Sequence, residues 1–259
     1  MKRVMFGLQN HRGSCWINAA LQAFFRLPTV QERYNSDTKI QSKTMDYWLS
    51  SIWSSKGSLG LREFFDYART DDMPAGLGIG DSHELFQHMC DKLPFLDELF
   101  RFKIAHTIEC KHCKAKTLTQ DSVIEFSLDS VEGQHVPLST CIAKTVEPYD
   151  IQDWECESCK KKGGVRQQLI GSFPKCIMFH APLASTTIDY SSLLVLNGKK
   201  YALSSVVCYN GSHWWTFARN MPPGSSWYIF DDLNVHEHGA KQFPVSNSMR
   251  MLIYCRVEE

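Results

Sequence analysis

GLQNHRGSCWINAALQAFF, from Gly7 to Phe25, decides how the rest of the chain is read. A polar turn runs straight into a helix, with a cysteine at the join. From Cys15 onward the apolar residues Ile17, Leu21, Phe24 and Phe25 recur at helical spacing, and Pro28 follows just past the end. Cys15 is therefore expected at a helix N-terminus, where unpaired backbone N–H groups and the helix dipole favour negative charge. A thiol at such a position ionises more readily than a free cysteine, and the thiolate is the nucleophile. Taken alone, Cys15 is equally well a small core residue that opens an ordinary helix.

The 259 residues suffice for one large domain or two small ones. A chain of this size buries roughly 75% of its unfolded surface without disulfide staples. Apolar and charged contents of 43% and 22% are those of a globular protein. A formal net charge of +0 argues against nucleic acid or an anionic membrane as the main partner. MKRVMFGLQN has no long apolar stretch behind its basic residues, so no secretory signal is expected. No run reaches the roughly 18 apolar residues of a membrane span. The cytosol or nucleus is the expected setting. There, ten cysteines point to thiol chemistry and metal binding, not disulfides.

Further along, Met45, Trp48 and Ile52 mark a short helix and Leu61–Arg69 another. Thr70–Gly80 reads as a loop by its Gly and Pro content. A helix from about Asp81 to Leu93 carries Leu85, Met89 and Leu93 on one face. From about Phe102 the pattern becomes β-rich: FKIAHTIEC, KTLTQDSVIEFSLDS, LIGSFPKCIMFHA, KYALSSVVCY, WWTFAR, WYIF and MRMLIYCRV. KKKGG, Lys160–Gly164, reads as a solvated loop tip.

Cys110 and Cys113 form one CxxC pair, and Cys156 and Cys159 a second. Two such pairs predict a tetrahedral Zn²⁺ site of four thiolates, one ion, structural because no coordination position stays open. A redox pair in surface turns is the weaker alternative.

GSHWWTFARNMPPGSSWYIFDDL reads as a hairpin, with its turn at Met221–Gly224. A register centred on that turn sets His213 roughly opposite Asp231, the base-and-orienter half of a Cys-His-Asp arrangement. Asp232 is next door. Side chains alternate along a strand, so only one of the two acids is well placed for the imidazole.

Together these pieces resemble the ubiquitin-specific protease family of cysteine deubiquitinases. The family's GLxNxGNTCYMNAxLQ box is matched by GLQNHRGSCWINAALQ, its GHY by Ser212-His213-Trp214, and its WYxFDD by WYIFDD. DSHELFQHMCDKL is similar to DAxEFLxxLLDxL, and the closing MLIYCR to YxLxYxR. The two CxxC pairs fall between the boxes, as in the family. The resemblance implies an α+β, papain-like cysteine peptidase with a helical thumb (about 1–98), zinc-tipped β fingers within 99–175 and a β-rich palm (176–259). It implies thiol-dependent hydrolysis after ubiquitin's C-terminal glycine, with ubiquitin or its conjugates as partner and a monomeric enzyme. Cys15 matches the nucleophile, His213 the base, Asp231 the orienting acid (with Asp232 beside it) and Asn10 the oxyanion donor. Asp81 and Glu84 match acids that hold ubiquitin's basic tail, and they equally suit the cap of a helix. Trp214 is a candidate wall of the tail channel or a core residue.

The departures are Arg12 and Gly13 for Gly-Asn, Ser212 for Gly, Trp214 for Tyr, and Ile79 and Gly80 for paired glutamines. They bear on modifier preference and efficiency more than on reaction class. An isopeptidase for SUMO or a similar modifier, and a silent zinc-stapled ubiquitin-binding module, are the competing readings.

Overall fold

A computed structural model describes residues 5–70, 79–129, 135–181, 187–220, 226–239 and 244–257. Loop residues 71–78 and the turn at Met221–Gly224 lie outside the described residues, as does the end of the strand read to Ser130.

Among the described residues before Arg101 the regular elements are all helices. α1 (Cys15–Phe24) is buried along its whole length, with its alanines letting neighbours approach as closely as its large apolar residues fill space. α2 (Pro28–Asn35) follows at once. The sequence reading took Pro28 only as a stop, but proline is well suited to the first helical position, where its missing N–H costs nothing. α3 (Met45–Ser54) is capped by Thr44, whose Oγ1 accepts the Tyr47 N–H at 3.3 Å. α4 (Leu61–Thr70), α5 (Ser82–Lys92) and α6 (Pro94–Phe100) complete the layer, α6 again opening on a proline.

Four strands then build a narrow antiparallel sheet. β1 (Phe102–Cys110) and β2 (Lys116–Val123) form one hairpin; β5 (Tyr149–Glu155) and β6 (Lys162–Ile170) form the other, in the order β2-β1-β6-β5. Short elements lie between them: β3 (Phe126–Ser127), β4 (His135–Pro137) and α7 (Leu138–Val146). KKKGG is not the loop tip expected. β6 starts at Lys162, and Gly164 packs where a Cβ would meet Ile108 Cγ2 and Trp154 Cε3, both at 2.9 Å.

The C-terminal part holds β7 (Cys176–His180), β8 (Thr187–Asp189), β9 (Leu193–Leu196), β10 (Lys199–Tyr209), β11 (Trp214–Ala218), β12 (Trp227–Asp231), β13 (Asn234–Gly239) and β14 (Met249–Arg256). The large sheet runs β13-β12-β11-β10-β14-β7-β3, with β9 on β10; β4 pairs with β8 apart from it. β14 thus inserts between β10 and β7, and the last strand of the chain becomes a central one.

One core cluster joins α1 and the other helices to the inner face of the large sheet, through Met178, Val207, Trp214, Met251 and Ile253. A second lies on the sheet's other side. α1 is seated on β11, where Thr216 Oγ1 donates to the Ala19 carbonyl at 2.8 Å. The buried Arg26, just past α1, donates to Asn220 Oδ1 at 3.2 Å and lies 4.9 Å from the Phe230 ring centroid. Burial lowers its pKa to about 9. Among the described residues no helix is long and apolar enough to cross a membrane.

Candidate active site and metal centre

The turn before α1 is built on Asn10. Its Oδ1 accepts the N–H groups of Gly13 and Ser14, both at 3.1 Å, and Ser14 Oγ accepts the His11 N–H at 2.8 Å. This satisfies donors that the helix start would otherwise leave bare. Arg12 and Gly13 are both left-handed, at φ 55° and 89°. Nothing crowds a Cβ at Gly13, so the dihedral alone asks for glycine there, and Arg12 carries strain that glycine would not. Cys15 follows, a free thiol at 8% exposure.

His213 stands just outside β11 on a loop organised by Asn210, whose Oδ1 accepts the His213 N–H at 2.9 Å, the Ser212 N–H at 3.0 Å and Ser212 Oγ at 3.1 Å. The β11–β12 register, Thr216↔Phe230, would carry Asp231 opposite Trp215 and not opposite His213. The loop bends the imidazole back, and His213 Nε2 lies 2.6 Å from Asp231 Oδ1.

Asp232, left-handed at φ 52°, has different partners, although its carboxylate stays within 4.8 Å of the His213 and Asp231 ligand atoms. Its Oδ1 accepts from Asn18 Nδ2 at 2.7 Å, its Oδ2 from Asn10 Nδ2 at 2.8 Å, and its carbonyl from the Leu8 N–H at 2.9 Å. Asn18 is three residues after Cys15, hence on the same face of α1. The two adjacent aspartates therefore divide the work: one holds the imidazole, and the other holds the cysteine-bearing helix and the turn before it. No hydrogen bond joins Cys15 to His213 among the described residues.

Asp81 is the N-cap of α5, its Oδ1 accepting the His83 N–H at 2.7 Å, while Glu84 is exposed. α5 is tied to α1 where Ser82 Oγ donates to the Trp16 carbonyl at 2.7 Å. Gly80 lies flat against the Trp16 ring, where a Cβ would come within 2.7 Å. Trp214, a candidate channel wall, is buried at 5% and stacked on Tyr209 in the core; Trp215, of opposite pleat, stacks towards His213 with centroids 6.4 Å apart.

Sequence reasoning missed Asn18 and Asn210, and also a cluster behind Asp81. There His83 bonds Glu125 and stacks on His180, with rings 3.7 Å apart and 6° from parallel. Parallel imidazoles send their in-plane lone pairs along parallel lines, so in this pose the pair does not converge on one ion.

The four knuckle cysteines do converge, with ligand atoms all within 4.8 Å of one another. Cys110 and Cys159 Sγ are 3.7 Å apart, and Cys113 and Cys156 Sγ 3.6 Å. A tetrahedron with Zn–S of about 2.3 Å has S···S edges of about 3.8 Å, so this donor set fits a metal ion of that size. The knuckles copy each other: Lys114 N donates to the Cys110 carbonyl and Lys160 N to that of Cys156, each lysine left-handed, at φ 63° and 59°. The backbone N–H groups of Cys113 and His112 aimed at its sulfur, with the Cys113 and Cys156 thiols, outweigh desolvation and lower the Cys110 pKa to about 6.

A family model described as ubiquitin-specific peptidase-like, SUMO isopeptidase, matches residues 79–254, more than half of the chain. The chain is 23% identical over 297 residues to the probable ubiquitin carboxyl-terminal hydrolase 8 of Schizosaccharomyces pombe, covering 96% of this chain and 64% of that protein. It is 23% identical over 215 residues to ubiquitin carboxyl-terminal hydrolase 47 of Drosophila melanogaster, covering 72% and 14%. Among solved structures, the SAGA DUB module of Ubp8, Sgf11, Sus1 and Sgf73 bound to monoubiquitin superimposes with a TM-score of 0.84 at 16% identity, covering 100% of this chain and 71% of that one. The same module with ubiquitin aldehyde gives 0.82. These likenesses show the thumb–palm–fingers fold.

Proposed function

We propose a reaction for this chain, which belongs to the ubiquitin-specific peptidase-like, SUMO isopeptidase family: thiol-dependent hydrolysis of the isopeptide bond that joins ubiquitin's C-terminal glycine to a lysine. The observation that carries it is the pair of adjacent aspartates, one on His213 and the other on the helix face that Cys15 heads.

In this reading His213 takes the Cys15 proton. Asp231 occupies Nε2, so Nδ1 is the nitrogen left for the thiol, and the carboxylate stabilises the imidazolium that forms. The thiolate attacks the glycine carbonyl carbon. The oxyanion meets the backbone N–H of Cys15 and the second Nδ2 hydrogen of Asn10, the first being held by Asp232. The tetrahedral intermediate collapses as His213 protonates the leaving lysine amine. Water, deprotonated by the same imidazole, then releases the acyl group. Asp81 and Glu84 sit where a basic tail would pass Trp16, and capping leaves Asp81 one oxygen free for an arginine. The knuckle ion is Zn²⁺, which holds the finger tips and takes no part in the chemistry.

The test is labelling under reducing conditions with a ubiquitin probe bearing a C-terminal electrophile. Covalent capture is expected with the native chain and none with Cys15→Ala. No capture by any modifier probe would turn the reading towards a silent binding module. Because the family description names a SUMO isopeptidase, a parallel SUMO probe is the direct comparison. Preferential SUMO capture would move the substrate but keep the mechanism.

A further inference from the structure

Between the turn that leads into α1, α1 itself and α4 lies a cavity of about 440 Å³. Its floor is Ile17 and Phe65, and its rim carries His11, Arg12, Arg62 and Asp66. Ser14, the residue before Cys15, also lines it, so the cavity lies one residue along the chain from the thiol. Arg12 and Arg62 are both exposed, and neither guanidinium makes an ion pair or hydrogen bond among the described residues. Asp66, the acid on the rim among the described residues, already has an interaction of its own. His11 rests edge-on against Phe65 at 5.7 Å, which keeps its ring on the wall.

The charges around Cys15 are thus divided. Through Trp16 the chain touches the α5 start, with acidic Asp81 and Glu84. Through Ser14 it touches a cavity with two guanidiniums that have no partner among the described residues. On the reading above, the acids take the modifier's basic tail, and the lysine with its own chain leaves on the other side. Two arginines at a cavity, without a partner among the described residues, suit a carboxylate: their forks match bidentate acceptors and are weakly hydrated. Arg12 is held towards this rim in a left-handed backbone that an L-residue adopts at a cost.

We infer that this cavity recognises acidic side chains flanking the modified lysine of the target protein, so that the enzyme selects conjugates formed in acidic sequence. The inference rests on the proposed function for the direction in which the target leaves. Arg62 is on α4, outside the turn that shapes the nucleophile, and is the position to change.

The experiment compares kcat/KM at low salt for ubiquitin joined to lysine peptides that differ only in glutamate, serine or lysine neighbours. The native chain is expected to favour glutamate over serine by about threefold per acidic residue, the preference shrinking at high salt. Arg62→Gln should bring the ratio near one, and Arg62→Glu should invert it in favour of lysine neighbours. A flat ratio in the native chain, or a ratio unmoved by both substitutions, overturns the inference. A fluorogenic ubiquitin amide without target peptide reads hydrolysis alone, so its failure strikes the proposed function and not the cavity. In that case, NMR shifts of arginine Nε–H signals on adding the glutamate peptide decide. Shifts lost in Arg62→Glu uphold the cavity, and no shifts in the native chain overturn it.

Discussion

Asp231 and Asp232 are chemically identical neighbours, yet a single left-handed residue sends their carboxylates to different partners. Substituting each should separate their roles. Asp231→Ala is expected to lower kcat/KM by about 10²- to 10⁴-fold with little change in melting temperature, because it removes the imidazole's orienter from a half-exposed position. Asp232→Ala should lower activity and also cost about 2 kcal/mol of stability, since Asn10, Asn18 and the start of the chain lose a common acceptor. Paired kinetics and thermal melts check both; equal melts would undo the division. The place of Cys15 at the start of α1 and the His213–Asp231 contact were legible, because a helical period behind a cysteine and a histidine–aspartate hairpin are local signals. Asn18 could not. It is one polar residue in an apolar helix, and its partner lies 214 positions away. Asn210 could have been suspected, since Asn-Gly marks a tight turn.

The elements that sequence reading found are those with a strong period: α1, α3, α4, α5, β1 and the aromatic strands. It missed α2, where Pro28 reads only as following the end of α1, and α6; a proline opens both helices. It also missed α7, a short helix after a proline, and β5, a strand exposed along most of its length. The knuckles were legible because CxxC is a local signal, and their mutual approach then follows from β1 pairing with β6. That pairing sets the prediction for this scale. Stripping the ion with a strong chelator should release one equivalent of zinc, by dye assay, and lower the melting temperature. Cys113→Ser should behave as the chelated protein does. The loss should concentrate in the narrow sheet, so hydrogen exchange would accelerate in β1, β2, β5 and β6 before the large sheet. Uniform exchange would argue against a local staple.

At the scale of the whole molecule, helical layer, narrow sheet and large sheet meet at the cluster of His83 on α5, Glu125 after β2 and His180 on β7. It was out of reach of the sequence because its three residues come from α5, the segment between β2 and β3, and β7, 42 positions or more apart. Burial, and then the neighbouring His83, hold the His180 pKa below its ordinary 6.5, against the opposing pull of Glu125 and Asp81; Arg250 adds to the lowering. The unfolded chain therefore binds this proton at higher pH than the folded one. The associated stability is whole above about pH 6.5 and is lost as pH falls below it. Burial raises the Glu125 pKa, but the His83 hydrogen bond and charge outweigh it, leaving the value below 4.5. Its contribution is lost only in stronger acid. Chemical denaturation from pH 7.5 to 5.5 should show stability declining, and His180→Gln should flatten the decline. A slope that His180→Gln leaves unchanged would place the acid sensitivity elsewhere.

The ten thiols also differ in how open they are to solvent. Cys15 is sheltered in the folded chain, whereas Cys113 is fully open and Cys159 partly so. A general alkylating reagent in molar excess therefore meets finger-tip sulfur first whenever the metal has left. Early uptake of label then gauges demetallation of a stored sample, and inactivation by such reagents cannot by itself identify the nucleophile.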